Sequence, residues 1–531
     1  MTENDPTTRP APLLAVIVDN HVVGDSRVQK CALAAAAAGY RVVLVGRAPG
    51  AADTFTIGAG DVTVEVRRVE APFQLLGLAR RVPRGRWRYP FAYPSVDHNA
   101  RRGLRLKALT ADLRARKLIL RQSGEIAGWR GRAKDLSLKA ETVPLRARWL
   151  LHRFRQVGFR ALSERVKRDD GLAVRAGTRL RTALRGPGAW RGLDPVLLDV
   201  ELGFGPCLDE LAPDLLHAND FRMCGVAARA AARAAALGRR VPVVYDVHEW
   251  VAGVASKTPR WRAANTGHEA EYIGRADAVL TVSDRLADML QDRYRLPRRP
   301  RVVLNAPQFE PDGPAPDGGL RAVCGLADDV PLLVYSGSAA PQRGIDTVVD
   351  ALVHLPLVHL ALVISHPRRA EEITARAREA GVAHRVHVLP YVPPQDVVPF
   401  LRSATAGLVP IHHFPNHEIA LITKYLEYAH AGLPIISSDT ETMGTTTRAL
   451  GNGEVFVAED VADLVRAVAA VTADPQRYRA AYDRHADVLR SWSWQEQEAV
   501  LLEVYADVLA AAGTAAPQRV RADLAVRAGA R

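Results

Sequence analysis

The chain has 531 residues, of which 48% are hydrophobic and 24% are charged. These proportions exclude a disordered or fibrous protein, and the length exceeds what one ordinary hydrophobic core can organise. The four cysteines lie far apart without a Cys-x-x-Cys pair, which argues against a disulfide framework and a zinc site and fits a reducing compartment.

The first part of the chain predicts a polar tail followed by a βαβ unit. Residues 1–12 carry no basic segment leading into an apolar core, so we expect no secretory signal, a disordered tail and a cytoplasmic protein. A buried strand is predicted at 13–18, a helix at 26–38 and a second strand at 41–46. The loop that contains Asp25 is therefore expected at the edge of a parallel sheet.

A basic segment of about 75–195 interrupts this first domain. Residues 80–191 hold 30 Lys and Arg against 8 Asp and Glu, a net charge of +22 within a chain of net +13. Richness in Arg, Leu and Ala predicts helices, and residues 145–166 show the pattern of a basic amphipathic helix. Two interpretations stay open: attachment to an anionic membrane surface, or packing of the apolar stripe on the protein itself. Nucleic acid is not expected as a partner, because only bulk charge favours it.

Alternating strands and helices resume at 215 and predict a second domain of the same kind. The first domain is expected to span 13–305, a Pro- and Gly-rich linker 306–319, and the second domain 320–490. A helix is predicted over 491–512 and a mobile tail over 513–531. The predicted fold class is α/β, with two doubly wound Rossmann-like domains facing across a cleft, where ligands of such sheets bind.

Two predicted helices of the second domain begin with a cation. Arg343 closes a turn of small residues that starts at Ser336, where backbone amides are able to approach an anion. Lys424 opens another helix, with Glu427 three residues further on. Each cation is open to two interpretations: phosphate binding, or an ordinary exposed arginine and a local Lys–Glu ion pair.

Five segments together carry a resemblance to a known family. They are Asp25–Val28, Tyr245–His248, Ala276–Ser283, Gly337 with Arg343–Gly344, and Lys424–Pro434. In order and spacing they resemble the GT-B glycosyltransferases of family 4. The likeness covers both predicted sheets, but neither residues 75–195 nor the two tails.

The resemblance implies a retaining glycosyltransferase that needs no metal and takes its sugar from a nucleoside diphosphate. It implies an acceptor-side first domain, a donor-binding second domain, and a helix at 491–512 that crosses back to the first. The implied catalytic residues are His248, Arg343 and Lys424. The implied donor-binding residues are Gly24, Asp25, Gly337, Ser338, Arg343, Gly344, Tyr391, Lys424 and Glu427. The basic segment makes a lipid-linked or cell-envelope glycan the expected acceptor, and the inner face of the cell membrane an expected place of attachment.

The sequence departs from the family pattern at two points. The family's paired glutamates stand eight residues apart, but Ile419 occupies the position eight residues before Glu427, with Glu418 one step off. Many members also carry an arginine where Ser338 stands here. We therefore hypothesise that Lys424 takes over the electrostatic role of that arginine.

Two rival functions remain at this stage. A nucleotide-sugar epimerase would use the same two-domain architecture, and the Lys424–Pro434 segment favours transfer over it. A non-catalytic module that binds membrane or nucleic acid would rest on the basic segment alone.

Overall fold

A computed structural model describes residues 10–70, 91–93, 96–122, 128–167, 171–194, 196–255, 257–308, 315–364 and 366–529. Residues 1–9 of the expected tail and 309–314 of the expected linker lie outside this range. The chain divides into two compact units, one formed by 1–71, 200–257 and 265–531, the other by 72–199 and 258–264. The first unit contains both sheets, and each sheet with its helices is called a lobe below.

The strands and helices alternate in the way expected of doubly wound domains. The strands are β1 Leu13–Ile17, β2 Arg41–Arg47, β3 Asp53–Ala59, β4 Val62–Val69, β5 Leu215–Asn219, β6 Val243–Val247, β7 Ala278–Thr281, β8 Arg301–Val302, β9 Leu332–Ser336, β10 His359–Val363, β11 Val386–Leu389, β12 Ala406–Val409, β13 Ile435–Ser438 and β14 Gly453–Phe456. The helices are α1 Ser26–Ala37, α2 Val96–Gln122, α3 Trp129–Lys167, α4 Leu172–Arg185, α5 Trp190–Leu193, α6 Val196–Leu211, α7 Asp220–Ala236, α8 Pro259–Tyr272, α9 Asp284–Tyr294, α10 Leu320–Val323, α11 Ile345–Ala351, α12 Pro367–Glu379, α13 Pro394–Leu401, α14 Pro415–Ile419, α15 Thr423–His430, α16 Glu441–Leu450, α17 Val461–Ala473, α18 Pro475–Arg484, α19 Ala486–Ser491, α20 Trp494–Ala511 and α21 Gln518–Gly529.

The first lobe is an eight-stranded sheet in the order β3-β4-β2-β1-β5-β6-β7-β8. Its strands pair in parallel except β3 and β4, which form an antiparallel hairpin at one edge. The central strands are fully buried, as their continuous apolar sequences require when both faces are covered. The hairpin was not predicted, because most residues of β3 are exposed and lack the apolar run of a central strand.

The second lobe is a six-stranded, wholly parallel sheet in the order β11-β10-β9-β12-β13-β14. Both topologies reverse direction beside a central strand, so loops after β1, β5, β6, β9 and β12 gather at the carboxyl ends of the strands. The two-domain α/β fold class predicted from the sequence is confirmed.

The chain passes between the lobes twice, and the two passages lie side by side. The amide of Trp494 donates to the carbonyl of Pro307 at 3.3 Å. The side chain of Gln497 accepts from the amide of Leu304 at 2.7 Å and donates to the carbonyl of Ser491 at 2.6 Å. We call residues 304–307 and 491–497 the paired crossing. From it, α20 packs into the core of the first lobe.

The structure differs from the prediction of a mobile tail over 513–531. Residues 518–529 form α21, and Ala516 and Val520 are buried in the core of the first lobe. The guanidinium of Arg519 donates to the carbonyl of Ala37 at 3.1 Å, at the carboxyl end of α1, where a positive charge is favourable. The sequence lacks a large apolar stripe here, which is why a mobile tail was predicted. The buried contacts of Ala516 and Val520, with the hydrogen bond from Arg519 to the end of α1, suffice to dock the helix.

The second unit is helical, in the segment where the sequence indicates a helical insertion. Leu113 and Leu120 of α2 pack against Leu138 of α3. The guanidinium of Arg116 binds the carboxylate of Glu141 across the same pair of helices. Within the described part of the chain, no helix has both the length and the apolar character that a bilayer crossing demands.

A buried carboxyl group in the first lobe gives stability a predictable pH dependence. Glu269 is fully buried and accepts hydrogen bonds from the hydroxyls of Tyr245 at 2.7 Å and Tyr294 at 2.6 Å. Burial raises the pKa of Glu269 to about 7. The native state therefore holds a proton that the unfolded state releases above its lower pKa, so stability falls as the pH rises towards 7.

We expect Glu269→Gln to weaken this pH dependence. A pKa displaced from about 4.5 to about 7 corresponds to a loss on the order of 3 kcal/mol between pH 4.5 and 7. Urea unfolding of both proteins at pH 5 and pH 8 measures the difference. Equal pH dependence in parent and variant would contradict the assignment.

Candidate active site

A cavity of about 600 Å³ lies between the lobes at the carboxyl ends of the strands. Gly24 of the β1–α1 loop and Ser26, the first residue of α1, line one side of it. The second lobe lines the other side with residues 336–341 and with Tyr391, Lys424 and Glu427. We call this space the interlobe cavity. Its position is where doubly wound sheets bind ligands.

The turn after β9 presents backbone amides to the interlobe cavity. Gly337 has φ +117°, a value that L side chains rarely adopt, and its amide donates to the carbonyl of Val363 at 2.9 Å. The hydroxyl of Tyr335 donates to the carbonyl of Ser338, which holds the turn in place. Among the described residues, none accepts a hydrogen bond from the amide of Ser338 or Ala339. Two amides in such a turn suit an anion.

Lys424 extends a buried ammonium group towards this turn. Its side chain is 8% exposed, and its Nζ has no hydrogen-bond partner in the described part of the chain. The Nζ lies 3.6 Å from the centroid of the Tyr335 ring and would lie 3.3 Å from a Cβ placed on Gly337. Burial, with the nearby charge of Arg343, holds the pKa of Lys424 well below its ordinary value. Such a group is costly unless an anion completes its surroundings.

Arg343 shares the electrostatic surroundings of Lys424 but does not line the interlobe cavity. Its Nε is buried without a hydrogen-bond partner among the described residues. Its charge acts on Lys424 and on Glu249 of the first lobe. Gly344 has φ +71°, and a Cβ there would lie 1.7 Å from the carbonyl oxygen of Pro410. Gly344 therefore shapes the turn that carries Arg343 rather than facing a ligand.

Glu427 faces two adjoining spaces. It lines the interlobe cavity and a second cavity of about 740 Å³ that is also lined by Lys30. Burial raises the pKa of Glu427, while the charges of Lys424 and Lys30 oppose the rise. A carboxylate in this place is able to accept hydrogen bonds from ligand hydroxyl groups.

His248 follows β6 and is held by two carboxylates. Its Nδ1 lies 3.2 Å from Asp220, and its Nε2 lies 3.4 Å from Asp246 and 3.2 Å from Asn219. Although burial opposes the charge, these carboxylates raise the pKa of His248 to about 10. The imidazolium form is therefore favoured at neutral pH, which suits charge stabilisation better than proton abstraction. Asp220 has φ +69°, a strained conformation for a residue with a side chain.

Asp246 is the centre of a buried network that sequence reasoning missed. Its carboxylate binds the guanidinium of Arg27 twice, at 2.8 and 2.9 Å, and lies 3.6 Å from Nε2 of His217. Arg27 also donates to the carbonyl of Val303 at 2.8 Å. Both residues stand in segments that carry the family likeness, but their pairing across 219 residues leaves no local signal. Through the contact of Asp246 with Nε2 of His248, the network helps to hold the imidazole ring in position.

Asp25 and Glu418 are engaged in helix caps. Asp25 accepts from the amide of Val28 at 3.2 Å and thereby caps α1. Glu418 accepts from the amide of Glu441 at 2.8 Å at the start of α16, and also contacts His413. Glu418 thus has structural partners and does not line the interlobe cavity.

The residues predicted for the site fall into two groups. The interlobe cavity brings together Gly24, Gly337, Ser338, Tyr391, Lys424 and Glu427. His248, Arg343, Gly344 and Asp25 stand outside its lining. Sequence reasoning missed the lining residues Ser26, His366, Arg368 and Thr423, each of which lies at the start of a helix or immediately before one.

Two mainly parallel sheets with a cavity between them at the carboxyl ends of their strands fit a GT-B architecture. Residues 167–306 match Glycosyltransferase Family 4, and residues 320–487 match Glycosyl transferases group 1, so the two matches together span more than half of the chain. The chain belongs to the GT-B glycosyltransferases, as its sequence motifs indicated.

Several known proteins are similar to this chain. The D-inositol 3-phosphate glycosyltransferase of Xylanimonas cellulosilytica is 31% identical over 192 residues, covering 35% of this chain and 45% of that protein. The protein of the same name from Acidothermus cellulolyticus is 28% identical over 278 residues, covering 48% of this chain and 58% of that protein. The matched part thus spans about half the length of these two relatives. A solved sucrose-phosphate synthase from Thermosynechococcus elongatus shares the fold, with TM-score 0.60, 16% identity, and coverage of 94% of this chain and 100% of that one.

Proposed function

We propose that the protein transfers a sugar from a nucleoside diphosphate sugar to an acceptor, with retention of anomeric configuration and without a metal ion. The observation that carries the proposal is the buried, unpartnered Nζ of Lys424 beside the turn of Ser338 and Ala339. Departure of a nucleoside diphosphate leaves negative charge on the phosphate, and fixed positive charge at that point stabilises the transition state. Lys424 and Arg343 supply that charge in the place of a metal ion.

The other site residues have roles that follow from their positions. The amides of Ser338 and Ala339 receive phosphate oxygens, and Glu427 accepts hydrogen bonds from the ribose. Tyr391 also lines the interlobe cavity, and we assign it to contact with the base. His248 stabilises charge on the reacting sugar or the acceptor from the opposite lobe. Gly24, near the end of the β1–α1 loop, leaves space for the diphosphate.

For the acceptor, we propose a lipid-linked or cell-envelope glycan, with the protein attached peripherally to the inner face of the cell membrane. The charge of +22 over residues 80–191 supports this class, because such acceptors lie at anionic surfaces. The names of the relatives give a phosphorylated polyol as the competing acceptor to include in assays.

Binding of nucleotide sugars tests the proposed function most directly. A ligand at 100 times its dissociation constant stabilises the native state by about 2.7 kcal/mol, which a thermal-shift screen detects. We expect one group of nucleoside diphosphate sugars to raise the melting temperature of the parent but not of Lys424→Met. Conversion of the donor to an isomer without any acceptor would favour the epimerase. No shift with any nucleotide sugar would contradict the proposal.

A further inference from the structure

Helix α3 carries an exposed apolar stripe that repeats every seven residues. Trp129, Leu136, Val143, Leu150 and Val157 are between 65% and 76% exposed. A seven-residue repeat drifts by about 20° per repeat on a regular helix, so the stripe residues before Pro144 share one side of α3, as do those after it. At about 1.5 Å per residue, the stripe extends for roughly 42 Å. Exposed apolar side chains in such a row mark an interaction surface.

The opposite side of α3 is already packed. Leu138 lies against α2, and Phe159 packs with Ala92 and Tyr93. The hydroxyl of Tyr93 and Nδ1 of His152 form a buried hydrogen bond of 2.7 Å. The helix is therefore held by one face within its own unit, while the stripe points outwards.

A row of basic side chains borders the stripe along its length. Arg132, Lys139, Arg146 and Arg153 each follow a stripe residue by three positions, and all four are exposed. Lys139 also pairs with Asp135 at 2.7 Å. Arg148 adds a further exposed charge. The surface thus combines apolar side chains with a continuous positive border.

We propose that this face of α3 is a docking surface for an anionic phospholipid membrane. Apolar side chains inserted at the headgroup level, with arginine and lysine at the phosphates, are the features of a helix that lies in a membrane interface. The proposal deepens the proposed function, since it names the surface that brings the site to a lipid-linked acceptor. Docking itself does not require transfer activity.

The charge pattern argues against two other partners for this face of α3, a second copy of the chain and nucleic acid. A second copy paired antiparallel would set the two basic rows against each other, and no acidic row accompanies the stripe. Nucleic acid would match the charge but leave the apolar stripe exposed to water. A lipid surface matches both features.

Vesicle flotation of the whole protein tests the docking surface. The vesicles contain phosphatidylglycerol and phosphatidylcholine in equal parts, or phosphatidylcholine alone. We expect binding to the anionic vesicles at 100 mM salt and at least tenfold weaker binding at 500 mM salt, because the basic row is screened. The apolar triple variant L136Q/V143Q/L150Q and the charge variant K139Q/R146Q/R153Q are each expected to bind at least tenfold more weakly.

A matched control replaces exposed apolar residues of the first unit instead. The variant L237Q/L357Q removes two large exposed side chains outside α3 and should bind within twofold of the parent. Circular dichroism and donor-induced thermal shifts verify that each variant is folded.

Unchanged binding of both α3 variants would overturn the proposal while leaving nucleotide-sugar binding untouched. A dimer in solution that the apolar variant abolishes would also overturn the proposal. The same holds if DNA displaces the vesicles and both α3 variants bind vesicles as the parent does.

Discussion

The variant Lys424→Met is expected to lose at least about a hundredfold in kcat/KM for glycosyl transfer, yet to unfold no more easily than the parent. Its ammonium group is buried without a partner, so removing the charge relieves a desolvation cost in the ligand-free protein. In the transition state, the same charge faces the departing diphosphate. A hundredfold loss corresponds to about 2.7 kcal/mol of transition-state stabilisation.

Lys30 provides a matched control for stability. It is also 8% exposed, but its Nζ donates to the side chain of Asn305 at 3.2 Å and to the carbonyl of Ala306. Lys30→Met should therefore destabilise the protein by about 1–3 kcal/mol, because two acceptors lose their donor. The two lysine variants should differ in the sign of their effect in urea unfolding. A loss of less than threefold in transfer by Lys424→Met would remove it from the proposed mechanism.

The variant Arg27→Met is expected to destabilise the first lobe by about 3–5 kcal/mol, as breaking a buried ion pair does. It leaves the fully buried carboxylate of Asp246 without its bidentate partner. The positive charge of Arg27 contributes to holding the pKa of Asp246 well below its ordinary range, despite burial. His248 would remain as a cation beside Asp246, which places the expected loss nearer the lower end of that range.

The double variant R27M/D246N serves as the control for this prediction. It removes both charges, so it should be more stable than R27M alone at neutral pH. It should nonetheless transfer poorly, because His248 loses one of the carboxylates that keep it protonated. Equilibrium unfolding in urea measures the first effect and kcat the second. Equal stability of R27M and the double variant would show that Arg27 is not the main partner of Asp246 in the native state.

Local patterns were sufficient to predict most of the sheets. The strands predicted at 13–18 and 41–46 are found at 13–17 and 41–47, because buried parallel strands stand out as short apolar runs between turns. The β3–β4 hairpin escaped prediction because it is partly exposed. The α21 helix escaped because its docking depends on tertiary contacts of a few small residues.

The site was partly predictable for a related reason. Lys424 and Arg343 stand where a cation is locally unfavourable, at or beside the start of a helix, so the sequence itself indicates an anion there. The partners of Asp246 and the carboxylates around His248 come from loops far apart in the chain, and only the assembled sheet brings them together. The sequence indicates a basic amphipathic helix at 145–166, but which side of α3 stays exposed follows only from the packing of Leu138 and Phe159 on its other side.

The paired crossing has a mechanical consequence for the two lobes. Two chain segments that are hydrogen-bonded to each other and run between the same lobes should restrict sliding and twisting more than a single segment would. We therefore expect any relative movement of the lobes to change the width of the interlobe cavity more than its lateral alignment. A single proteolytic nick in either segment would leave the lobes tethered by the other.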